Sequence, residues 1–187
     1  SPATLVTGGL LIIVAIATLI QNTFWSVLVT EKLLVPPEYL ALYSVARSVT
    51  MLVFYFTIMP KLRTVDARKP MVFGFAGLIL SWLILVIIPP QSYYLLLISV
   101  IIEGCSIPAV STLLDKLVAI TVDPKERARI MSILYVVVLA CTTPFGWIAG
   151  QASQINRSLP FVINIVLLCI GIAVAYTASR RSAVVSQ

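Results

Sequence analysis

Six apolar stretches, each long enough to cross a bilayer, fill almost all of the 187 residues. A hydrocarbon core about 30 Å thick takes ~20 helical residues. The runs at about 8–30, 39–59, 71–88, 93–114, 130–150 and 160–178 all fall in that range. With 60% hydrophobic residues, 11% charged residues and a mean hydropathy of +1.06, no soluble core of this size would hide them. The expected class is an all-α membrane protein. Residues 1–179 form six transmembrane helices as one bundle, and 180–187 form a tail.

The breaks between the runs carry helix-ending chemistry: Pro36 and Pro37, Pro60, Pro70, Pro89 and Pro90, and Pro160. The strongest start signal is Asp123-Pro124-Lys125-Glu126. Asp123 is placed to cap, Pro124 suits the first helical position, and Glu126 would close a capping box. Basic residues fall on alternate loops. Lys61, Arg63, Arg68 and Lys69 lie in the second, Lys125, Arg127 and Arg129 around the fourth, and Arg180 and Arg181 in the tail. The first, third and fifth loops hold only Lys32 and Arg157. By the positive-inside rule both termini and the second and fourth loops are cytoplasmic.

The formal net charge of +6 therefore sets topology, and nucleic acid is not an expected partner. Cys105, Cys141 and Cys169 all sit inside apolar runs, where a thiol behaves as a small hydrophobe and offers no disulfide or metal framework. The chain opens Ser1-Pro2 without Met and has no basic residue before Lys32, so its first span lacks the flank of a signal peptide. The expectation is a piece of a longer polypeptide.

Polar residues inside the spans converge on one depth. At 1.5 Å per residue, Asn22 lies roughly 14 Å from the Glu31 end of the first helix, Arg47 roughly 12 Å below Tyr39, and Glu103 roughly 15 Å below Tyr93. Thr18, Gln21 and Trp25 share the Asn22 side of the first helix, and Thr142 and Thr143 reach a similar level on the fifth. A charge at that depth costs at least ~2.5–3.5 kcal/mol, so Arg47 and Glu103 should face each other, a partner chain or a water-filled cavity. Glu103 reads as functional, against the simpler role of an orienting ion pair. Gln21 and Asn22 read equally as interhelical glue and as substrate contacts.

Pro108 and Pro144 permit bends beside Glu103 and Thr142. The Gly146 to Gly150 spacing is a GxxxG pattern suited to tight helix packing. The third and sixth spans are the most apolar, with Ser81 and Asn164 as their interior polar residues and Gly74, Gly77 and Gly171 for packing.

Taken together, the chain resembles the C-terminal half of a major facilitator superfamily transporter, the last six of twelve helices. The likeness rests on the basic loop at 60–70, on Glu126-Arg127-Ala128-Arg129 at the start of the fifth helix, and on the stretch from Pro144 to Gly150. Asp66, Arg68 and Lys69 match the family's loop pattern, whose glycines are missing here, and the resemblance implies that they form a cytoplasmic latch. It also implies that helices 1 and 4 line a central cavity, 2 and 5 meet an N-terminal half, and 3 and 6 face lipid. Transport would then proceed by rocking of two halves around a midplane site.

The function so implied is secondary active transport of a small solute, coupled to protons through Glu103. Gln21, Asn22, Trp25, Arg47, Thr142 and Thr143 would border the path. The partners would be the lipid bilayer, the solute, H+ and the missing half, in the plasma membrane and without a cofactor. An enzyme is disfavoured. There is no His, no Gly-x-Ser-x-Gly, and Asp66, Asp115 and Asp123 do not face one another at membrane depth. A channel subunit or an oligomeric six-helix scaffold remains the alternative.

Overall fold

In a computed structural model, residues 2–62, 64–65, 68–122 and 125–185 are described. Among them every regular element is helical and there is no strand. The order is α1 (Pro2–Val27) running into a π turn (Leu28–Lys32), α2 (Pro37–Thr57), a short α3 (Met59–Leu62), α4 (Arg68–Ile87), α5 (Tyr93–Thr121), α6 (Arg127–Ile155) and α7 (Leu159–Val185). Among the described residues five segments are long and apolar enough to cross a membrane: Thr4–Lys32, Pro37–Thr57, Pro70–Ile87, Tyr93–Thr121 and Arg127–Ile155. The apolar part of α7, Leu159–Val174, is shorter.

The helices overrun the apolar stretches that mark them in sequence. α5 and α6 each have 29 residues, about 44 Å of helix, against a hydrocarbon core of ~30 Å. Backbone pairing continues wherever i to i−4 bonds close, whereas apolar side chains are needed only within lipid. Pro37 opens α2 at its first turn, while Pro108 and Pro144 lie inside α5 and α6 without ending them. Of the start signal before α6, Asp123 and Pro124 lie outside the described residues. Glu126 occupies the cap position but makes no side-chain cap bond.

α5 is the hub, flanked by α4 and α2 and touched by α1; α7 closes against α1, α4 and α6. The α4–α5 seam is the tightest. A Cβ added at Gly77 would collide with the Ser106 hydroxyl, and one at Gly74 would come within 2.8 Å of Val110 Cγ2. One turn further on, Ser81 and Ser99 exchange hydroxyl-to-carbonyl bonds of 2.9 and 3.0 Å. In lipid, where apolar contact between helices gains little over contact with acyl chains, such small-residue seams and polar pairs decide which helices pair. Gly146 and Gly150 do not form such a seam: the nearest atom to an added Cβ at Gly146 is Leu19 Cδ2 at 3.5 Å, and at Gly150 nothing lies within 4 Å. The GxxxG spacing is present, but no neighbour approaches it closely.

α2 and α6 are the least covered. In each, 11% of the best apolar window is buried, against 50% in α5. Leu42, Val49 and Phe56 on α2 and Val136, Leu139 and Trp147 on α6 are exposed.

Candidate functional site

Gln21 and Trp25 stand one turn apart on α1 and are both buried. On α5 the Glu103 side chain is 0% exposed, and Gln21 Nε2 donates to both carboxylate oxygens at 2.8 Å. From α2, Arg47 Nη1 donates to Glu103 Oε1 at 3.0 Å. Its guanidinium carbon lies 4.8 Å from the Trp25 ring centroid, in range for a cation–π contact. Three helices thus converge on one carboxylate. Their approach depends on Gly104, where an added Cβ would come within 3.0 Å of Thr50 Cβ and 3.2 Å of the Arg47 carbonyl.

The cluster leaves unused polar capacity. Gln21 Oε1 and Trp25 Nε1 are buried without a hydrogen-bond partner. The Arg47 side chain is 17% exposed, and it donates to no other described residue. Thr18, Asn22 and Ser26 on α1 are exposed, so a polar stripe runs beside the cluster along the uncovered side of the bundle. Chemically the arrangement holds a carboxylate able to bind and release a proton, next to a guanidinium edge open to a solute.

The other residues expected at this site make no hydrogen bond to the Glu103 carboxylate. Asn22 is exposed, one position round from Gln21, and does not join the carboxylate's partners. Thr142 and Thr143 donate to the carbonyls of Val138 and Leu139 in their own helix, at 2.6 and 2.8 Å. Such back-bonding commits their hydroxyl protons to their own helix, as it does for Thr18 with the Val14 carbonyl. Of the expected latch, Asp66 lies outside the described residues. Arg68 and Lys69 fall in the first turn of α4, with side chains that are also outside the description. Among the described residues no group of three or more His, Cys, Asp or Glu is placed to hold a metal.

Two polar clasps have no counterpart in the sequence reading. Lys32 Nζ donates to the Val86 carbonyl and to Ser158 Oγ, both at 2.6 Å, joining α1, α4 and α7 at one end, beside the Glu31–Arg157 ion pair. Asn164 Nδ2 donates to the Ala17 carbonyl at 3.0 Å, tying α7 to the middle of α1. For Lys32 the available signal was a single cation ending a long apolar run; the wider π turn then sets where it points.

A scan against protein-family models and searches of curated proteins and of solved structures each found no match for this chain.

Proposed function

We propose that this chain is one six-helix half of a secondary active transporter for a small solute, working by alternating access and coupled to protons at Glu103. The observation that carries the reading is the fully buried Glu103, held by Gln21 and Arg47 at mid-span beside an exposed polar stripe. An ionisable group at that depth is costly, and its usual return is a proton, ion or substrate pathway. The low cover of α2 and α6 supports the second element of the reading. Two helices flanking the polar stripe are left open, as they would be where an N-terminal six-helix half completes the bundle. In this reading the chain is the C-terminal half of a major facilitator superfamily protein, set in the plasma membrane with cytoplasmic termini.

In this mechanism Glu103 carries the proton and Gln21 holds the carboxylate in place. Arg47 shifts its open edge between Glu103 and a solute, with Trp25 as its stacking floor. The same open flanks also favour a second reading, a channel subunit or scaffold that associates through α2 and α6. The two are separated by adding a panel of small solutes to proteoliposomes holding the natural-length protein while recording external pH. The transporter reading expects a solute that triggers proton movement in wild type and none with Glu103→Gln. Proton movement unchanged by Glu103→Gln would remove Glu103 from the mechanism.

A further inference from the structure

A groove of about 450 Å³ lies on the far side of α5 from the α1 stripe. It forms because α2 and α4 both pack against α5 and splay around it. Phe54 and Ala109 make its buried floor with the half-buried Cys105, Phe73 is its exposed lip, and Leu62 and Val65 close it toward the loop after α3. The volume is that of a ligand site and not of a packing defect. It is also too small for a partner helix, since a cylinder 10–12 Å across fills roughly 500 Å³ per turn.

Its polarity and depth identify an occupant. Among its described walls the one hydroxyl, Ser106, has its proton committed to the Ile102 carbonyl at 2.7 Å, so only that oxygen and the Cys105 thiol interrupt an otherwise apolar lining. Among the described residues no carboxylate lines it. From Cys105 to Lys116 along α5 is eleven residues, about 16 Å, or one leaflet of a ~30 Å hydrocarbon core. At the mouth, Lys116 Nζ donates to the carbonyl of Val65, itself a wall of the groove, at 3.2 Å, which holds the ammonium at this end. The exposed Lys61 directly precedes Leu62 there.

We propose that this groove binds one acyl chain of an anionic phospholipid, drawn from the leaflet at the basic end of the bundle, with its headgroup at Lys61 and Lys116. An apolar groove set within one leaflet's depth of two lysines matches the two parts of such a lipid. Basic pockets between membrane helices recognise anionic headgroups in this way. The site is separate from the Glu103 cluster and does not depend on the transporter reading.

The test is native mass spectrometry of the natural-length protein, released from micelles containing equal palmitoyl-oleoyl phosphatidylglycerol and phosphatidylcholine. The expected result is one retained phosphatidylglycerol, preferred by roughly 30-fold from about fivefold per lysine. Lys61→Gln should lower the preference about fivefold, and Lys61→Gln with Lys116→Gln should abolish it. Ala109→Phe, which fills the floor, should reduce retention of both lipids. Phe73→Ala, which removes an exposed lip and leaves the fold intact, should do the same and decides the matter if Ala109→Phe does not fold. Equal retention of the two lipids by wild type, a preference that survives the double lysine variant, or retention unaffected by the folded groove variants would each overturn the proposal.

Discussion

Replacing Arg47 and Glu103 by leucine, singly and together, measures whether the central ion pair exists as a unit in the membrane. Arg47→Leu leaves a carboxylate that is 0% exposed and held by Gln21 alone. Removing one partner of a buried pair costs about 3–5 kcal/mol. Glu103→Leu should cost near the lower bound, about 3 kcal/mol, because Arg47 is 17% exposed and keeps its contact with Trp25. The double variant leaves no uncompensated charge. Its main defect is the buried Gln21 amide without an acceptor, about 1–3 kcal/mol.

The sum of the singles should therefore exceed the double by a coupling energy of at least about 3 kcal/mol. Neutral hydrogen bonds between membrane helices average only ~0.6 kcal/mol, so a value of this size separates a charge pair from simple glue. The assay is reversible unfolding of each variant in mixed micelles by increasing sodium dodecyl sulfate, followed by far-ultraviolet circular dichroism. Additivity within ~0.5 kcal/mol would mean that the two side chains do not interact in the folded protein, and the reasoning about the site would be wrong.

Gly77→Ala should destabilise by about 1–3 kcal/mol through overpacking, because its Cβ meets the Ser106 hydroxyl. Ser106→Ala alone should be nearly neutral and should restore part of the loss in the double variant; equal stability of Gly77→Ala and wild type in the same unfolding assay would refute the close α4–α5 seam. Lys32→Met strips the donor from the Val86 carbonyl and Ser158 Oγ, at about 1–3 kcal/mol. Hydrogen exchange should rise at the adjoining ends of α1, α4 and α7, and unchanged exchange there would show that the clasp does not hold them.

How much of this was legible in sequence depends on the kind of coordinate asked for. Spans are legible because hydrocarbon demands uninterrupted apolar length, and the structure returns five such helices with a shorter apolar sixth. Depth is legible too, since a constant rise per residue places Arg47 and Glu103 at one level, where they pair. Azimuth is less so. The same rise assigns Thr142 and Thr143 to a similar depth, yet their hydroxyls bond back to their own helix. Asn22 neighbours Gln21 in sequence but faces outward. Lys32 was hidden for a related reason, because the π turn changes the helical register just before it. Among the glycines, Gly74 and Gly77, read in the sequence as packing positions, do meet close neighbours, whereas the GxxxG spacing at Gly146 and Gly150 does not, and the close contact of Gly104 with Thr50 and the Arg47 carbonyl has no spacing signal.

The most direct test of the central claim compares two fluxes in one variant. With a solute found by the external-pH recordings, Glu103→Gln is reconstituted at natural length. Counterflow of labelled solute is measured without a gradient, and accumulation is measured under an imposed pH gradient. The account predicts that counterflow persists while gradient-driven accumulation is lost, because solute still binds at the open edge of Arg47 but no proton is carried with it. Accumulation at the wild-type level would contradict the account.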